Sequence, residues 1–267
     1  MIDDLIARFI AILIYRADRS CRNELNSGAI ANERDYVSNL ANLIRRPFGF
    51  FFEWNLGIAH TLSARLEQEF GCDSIMIFRF RDKVKIGLYE AKWPRYFSQN
   101  NYAWDSLNSE GVSRFTSQIK RQQKWISEGF VMWEMFFNES PVGAQKENWD
   151  ELGSTCVLHE VAETHFDTRK NGDEAALWRN QDLDHLLKSS LNINQIVYRM
   201  LSCRYGELFD VANYSVTIND YTGQNKIEIP IPRRSEMRNG LSDRIRSFME
   251  NRGLSNYAYY DLIEFDQ

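Results

Sequence analysis

Apolar residues recur at helical spacing over residues 2–25, where Leu5, Ile6, Phe9, Ile10 and Leu13 form a wide stripe that Asn26-Ser27-Gly28 ends. A second helix is predicted over 32–46. Asn32 serves as its N-cap, Tyr36, Val37, Leu40, Leu43 and Ile44 form its apolar face, and Arg45-Arg46 complement the C-terminal dipole before Pro47. Residues 48–70 are ambiguous, because alternation from Ile58 to Leu66 suits a strand while 55–69 also fits a helix; the strand reading, over 57–66, is preferred. Ile75–Phe78 and Val84–Tyr89 are two strand-like runs around Arg81-Asp82-Lys83, and so predict a hairpin. A long helix is expected at 110–137, with Val112, Phe115, Ile119, Ile126, Phe130 and Trp133 on one face. After a polar loop, 156–166 reads as a strand and 194–209 as a helix. Strands are expected near 213–219, 226–231 and 257–265, with a helix at 241–251. The fold class is therefore α/β with a mixed central sheet flanked by helices.

Composition narrows the class. At 267 residues with 43% hydrophobic and 26% charged side chains, the chain can bury a large core, and disorder or coiled coil fails as a description of the whole. Cys21, Cys72, Cys156 and Cys203 are scattered, without a Cys-x-x-Cys pair, which suits reduced thiols and a cytoplasmic setting. The apolar run Leu5–Tyr15 is shorter than the roughly 20 residues a bilayer needs and is broken by Arg8, so no membrane partner is expected; Asp3 and Asp4 stand where a signal peptide wants positive charge. The N-terminal helix is instead a candidate homodimer element.

The net charge is −5, but it is unevenly spread. Residues 79–95 carry +4, and 111–127, with Arg114, Lys120, Arg121, Lys124 and no acid, carry another +4, which leaves −13 on the remainder. Such a local positive field on an acidic chain is what a nucleic-acid partner requires, although charge runs are most often solvated faces.

Chemistry concentrates on Asp73, Glu90 and Lys92. Asp73 opens one strand of the hairpin and Glu90-Ala91-Lys92 ends the other. With a tight turn between Asp82 and Lys83, Asp73 faces Lys92, Ile75 faces Glu90, and all three polar side chains leave one face at one end. A register slipped by one residue would send Asp73 to the opposite face. Two carboxylates can hold a magnesium ion while water and a phosphate fill its other positions, and the lysine can orient the water and stabilise developing charge.

The spacing D-x(16)-E-x-K on a hairpin resembles the PD-(D/E)XK nuclease superfamily over residues 32–166, although Cys72 stands where the family usually has Pro. The resemblance implies a restriction-endonuclease-like core of helix, three antiparallel strands, helix and strand. It implies a nuclease using Mg2+, with Mn2+ as a substitute, and DNA as the favoured substrate. It further implies a third metal-holding acid beside Asp73 and Glu90, near the start of the first helix, for which Glu33 is the candidate and Glu53, Glu67 and Glu69 compete. It also implies a polar residue on the helix after the lysine, where Gln118 is the candidate and Gln122 reads as an amide satisfied by backbone. Arg114, Lys120, Arg121 and Lys124 become the nucleic-acid-binding set. Residues 1–31 are then an added helix and 167–267 an elaboration of the same domain. The alternative reading is a nuclease-fold binding protein without turnover.

Other signals are weaker. His159-Glu160 with Glu163 and His165 lacks the H-E-x-x-H spacing and reads as structural, and His60 and His185 have no evident partners. Trp93, Tyr96, Tyr102 and Trp104 follow the lysine closely and read mostly as core, with one or two able to stack on a base. Serine-hydrolase, P-loop and dinucleotide motifs are absent.

Overall fold

The computed structural model describes residues 2–51, 57–61, 70–94, 104–137, 152–220, 222–233, 235–236 and 242–262. Seven α-helices are found among them: α1 (Asp4–Asn26), α2 (Glu33–Phe51), α3 (Arg114–Ser127), α4 (His159–Thr168), α5 (Asn180–Leu187), α6 (Ile193–Leu201) and α7 (Asp243–Arg252). Strands β1 (Gly57–Thr61), β10 (Asn256–Asp261), β2 (Ser74–Phe80), β3 (Lys83–Lys92), β4 (Val131–Phe136), β5 (Thr155–Leu158) and β6 (Leu191–Asn192) form a mixed sheet in that spatial order, with β7 (Phe209–Asp210) also on β3. β8 (Ser215–Asn219) and β9 (Lys226–Pro230) pair separately. None of the described helices is long and apolar enough to cross a membrane.

Strand alternation splits the core in two. Met76, Phe78, Tyr89, Trp133 and Met135 face a cluster shared with Ile10, Ile14, Tyr36, Leu40 and Ile196 of α1, α2 and α6. Ile75, Ile77, Ile86, Leu88 and Met132 face the opposite way, towards Trp125 of α3 and Ile245 and Met249 of α7. On that second face polar side chains interrupt the apolar rows towards one end of β2, β3 and β4, and beyond them Phe136 joins a further cluster with Phe115, Val157, Trp178 and Leu183.

Several expected boundaries move. The helix predicted to stop before Pro47 continues to Phe51, carrying Pro47 in its last turns despite the main-chain donor a proline lacks. The expected helix 110–137 is two elements. Gly129 at φ +95° turns the chain after α3, and Val131–Phe136 becomes β4, parallel to β3. The strand expected at 156–166 is β5 followed by α4, whose buried His159, Ala162 and Phe166 have helical spacing. The helix expected to reach Phe209 ends at Leu201, where Cys203 takes a positive φ of 56°. In α1 the buried stripe is Ala7, Ile10, Ala11, Ile14 and Ala17, so Leu5, Phe9 and Ile12 lie exposed: small residues let α1 pack closely on α6, and the larger ones turn outward. The hairpin turns on Arg81-Asp82, with Phe80 paired to Lys83, so its register is displaced by two residues from the expected one and the facing of the side chains is preserved. The 167–267 segment supplies β10, which runs parallel to β2 and separates it from β1.

Candidate active site

Asp73 precedes β2 at the level of Glu90, and its side chain lies on the α3 side of the sheet with those of Glu90 and Lys92. Its position is held by main-chain bonds: Ser255 and Asn256 N–H donate to Asp73 O at 2.8 and 3.0 Å, while Ala91 N–H donates to Asp73 Oδ2 at 3.2 Å. Gly71 makes this approach possible. Its φ is +65°, and a Cβ there would stand 3.0 Å from Gln118 O of α3.

Glu90, Lys92 and Gln118 close a triangle. Lys92 Nζ donates to Glu90 Oε1 at 2.5 Å and to Gln118 Oε1 at 2.8 Å, and Gln118 Nε2 donates to Glu90 Oε1 at 2.7 Å. The Lys92 ammonium also stands 5.7 Å from the centre of the Phe115 ring. Burial works to lower the Lys92 pKa, but the surrounding carboxylates of Glu90, Glu134, Glu33 and Asp73 outweigh it and hold it above the ordinary range. The lysine is a cation at neutral pH.

Glu33 sits at the start of α2, which Asn32 caps by accepting from Asp35 N–H at 2.9 Å. Its Oε1 accepts from Trp93 N–H at 2.6 Å, which ties the helix to the end of β3. Glu33, Asp73, Glu90, Ala91, Lys92 and Gln118 line one cavity of about 340 Å³, with Arg34 and Arg114 on its wall. Glu53, Glu67 and Glu69 lie outside the described residues, as do Tyr96 and Tyr102.

The helix α3 is fixed at its N-terminus, where Ser113 Oγ accepts from Thr116 N–H at 3.0 Å and donates to Asp105 Oδ2 at 2.5 Å. Trp104 forms part of the cavity wall, but its indole donates to Arg179 O at 3.1 Å and its ring meets Phe115 edge-on. Gln122 is satisfied away from the triangle: Nε2 donates to Gly71 O at 2.7 Å and Oε1 pairs with His159 Nδ1 at 2.9 Å. The other His159 nitrogen faces Gln123, which, with its amide nitrogen turned inward, donates to His159 Nε2 and to Glu163. Burial holds the His159 pKa down at about 4, so the ring is neutral. His165, read as structural, stacks with His185 at 4.2 Å between ring centres beside Asp182.

The basic set divides. Lys120 pairs with Glu174, Lys124 lies 3.8 Å from Glu128, and Arg121 Nη1 donates to Ser117 Oγ at 2.6 Å. The acids come from outside the 111–127 window, which is why the local charge count overstates this face. Arg114 is exposed and belongs to the cavity wall.

One site residue was not expected. Glu134 of β4 is a Cα partner of Glu90 and is fully buried, at 0% exposure. Burial pushes its pKa up to about 8, against the lowering pull of Lys92 and with the added repulsion of Glu90. A lone acid inside Val-Met-Trp-Glu-Met-Phe is the sequence signal; it is missed when that run is read as helix.

Neither family models, nor curated proteins, nor solved structures give a match to this chain. The functional reading therefore stands on the site itself. Among the described residues no three Asp, Glu, His or Cys side chains are gathered closely enough to hold an ion by themselves. What the site offers is the Asp73 and Glu90 pair in a cavity that also admits water and a phosphate-sized group.

Proposed function

We propose that the chain is a metal-dependent nuclease of restriction-endonuclease-like architecture that hydrolyses phosphodiester bonds, with DNA the favoured substrate. The observation that carries this reading is that Asp73, Glu90 and Lys92 line one cavity from one sheet face. The order α2, β1, β2, β3, α3 and then β4 parallel to β3 supports it, since it follows that core's sequence of elements. The insertion of β10 between β1 and β2 departs from the family's continuous three-strand arrangement.

A pair of carboxylates suits Mg2+ or Mn2+, because Mg2+ keeps several waters and takes one or two carboxylates plus phosphate oxygens. Asp73 and Glu90 are the residues that would hold the ion, which supplies charge neutralisation on the phosphate and an activated water. Lys92 contributes a fixed positive charge where negative charge develops on the phosphate, and it orients the attacking water by donating to it. Gln118 aims the ammonium by accepting from it. Glu33 fixes the backbone just beyond Lys92. Arg34 and Arg114 draw the phosphodiester to the cavity mouth. The exposed Leu5, Phe9 and Ile12 keep α1 as the candidate dimer element.

The test is cleavage of plasmid, linear and single-stranded DNA and of RNA with Mg2+, Mn2+ or EDTA, by wild type, Asp73→Asn and Lys92→Met. Metal-dependent cleavage lost in both variants is the expected outcome. Activity that survives either substitution, or EDTA, overturns the assignment. Binding without cleavage identifies the alternative, a nuclease-fold binding protein.

A further inference from the structure

Asp73, Glu90 and Glu134 form a row across β2, β3 and β4. Glu90 and Glu134 are Cα partners in the parallel pair, and the β2–β3 register continued by one residue places Asp73 opposite Glu90. Burial deepens along the row: Asp73 is partly exposed at the cavity, Glu90 is 3% exposed and Glu134 is 0% exposed. Among the described residues no donor reaches either Glu134 oxygen in ordinary hydrogen-bond geometry; the Gln122 amide comes near enough to favour its charged form but is committed to Gly71 O. A carboxyl in such a place is costly unless it has a partner in some state of the protein.

Lys92 is the group that can be that partner. It lies on the same face, one step along β3 from Glu90, and so is the diagonal neighbour of Glu134, a spacing that long side chains cover. An ammonium has three donors, and Glu90 and Gln118 take two of them.

Glu90 has two duties that conflict. In the structure its Oε1 accepts from both Lys92 and Gln118, and in the proposed nuclease it ligates a divalent ion. An ion on the Glu90 carboxylate repels an ammonium held 2.5 Å from Glu90 Oε1. We propose that Glu134 is a positioning residue that takes the Lys92 ammonium when Glu90 engages the metal ion, so that the lysine stays in the cavity instead of opposing the ion. This rests on the nuclease reading and adds a residue and a role to it.

The test measures Mn2+ binding to metal-free protein by electron paramagnetic resonance, without substrate. The proteins are wild type, Glu134→Gln, Glu134→Met, Lys92→Met and the double variant Glu134→Gln/Lys92→Met, each checked for folding by circular dichroism. Glu134→Gln and Glu134→Met should each weaken Mn2+ binding on the order of tenfold, the range seen when groups behind a metal ligand are removed. Once Lys92 is gone there is no ammonium to relocate, so the double variant should bind Mn2+ as Lys92→Met does. The inference is overturned if either neutral variant, folded, binds Mn2+ like wild type, or if the loss persists in the Lys92→Met background. Absence of Mn2+ binding by wild type overturns the metal site itself and the inference with it; wild-type binding combined with an inert Glu134 overturns the inference alone.

Discussion

Replacing Glu134 with Gln in the metal-free protein should change how stability depends on pH, and the size of the change follows from the site. Burial raises the Glu134 pKa from an ordinary 4.5 to about 8. Below 4.5 both folded and unfolded chains hold the proton and the residue makes no pH-dependent contribution. Between 4.5 and about 8 the unfolded chain ionises while the folded one does not, so stability is lost as pH rises through that window. At about 1.4 kcal/mol per pH unit, the loss between pH 5 and pH 7 is about 2–3 kcal/mol. For a chain of this size that corresponds to roughly 5–10 °C in Tm. Glu134→Gln keeps the shape and removes the titration. Urea denaturation of wild type and variant at pH 5 and pH 7, both in EDTA, isolates it, because every other titrating group is common to the two proteins. The advantage of the variant over wild type should grow by about 2–3 kcal/mol from the lower to the higher pH. An advantage independent of pH would show that Glu134 is already ionised in the folded chain and that its burial has been offset.

His159 should act in the opposite direction. Its pKa is lowered to about 4 from an ordinary 6.5, so its contribution is present above pH 6.5 and is lost as pH falls through 4; at pH 5 the loss is about 2 kcal/mol, and His159→Gln should remove that part of the acid limb in a denaturation series. Gly71→Ala should destabilise the protein by about 1–3 kcal/mol, because it combines a positive φ with a Cβ against Gln118 O, and it should lower cleavage as Asp73 shifts with the turn; unchanged stability would refute the close approach. Arg114→Ala should weaken DNA binding more than Lys120→Ala or Lys124→Ala, whose charges are engaged by Glu174 and Glu128. Anisotropy titrations at several salt concentrations should show the larger decrease in salt slope for Arg114, and equal slopes for all three would refute the division.

The parts of this molecule legible in its sequence are those in which local pattern and packing agree. The β2–β3 hairpin could be read because alternation on both sides of a charged turn specifies which face each residue takes, even when the turn itself is misplaced. The register differs from the expected one by two residues, and two is the period of a strand, so Asp73, Glu90 and Lys92 still share a face. Gln118 and Gln122 could be told apart for a related reason. Both are buried on α3, but Gln122 lies opposite the Gly71 carbonyl and Gln118 opposite the lysine. What the sequence hid depends on distant chain. β10 arrives from more than 150 residues beyond β2 to lie beside it, and nothing in the local pattern of Asn256–Asp261 names its neighbour. Glu174 reaches Lys120 from outside the helix whose charge was counted. Glu134 was hidden because an apolar run with one acid fits a helix or a strand equally well by periodicity, and only Gly129 at positive φ decides between them. That single turn ends α3 and places Glu134 in a strand, as a buried acid beside Glu90. The depth of the site therefore depends on a glycine that carries no chemistry, whereas its mouth was readable from the acids and lysine that do.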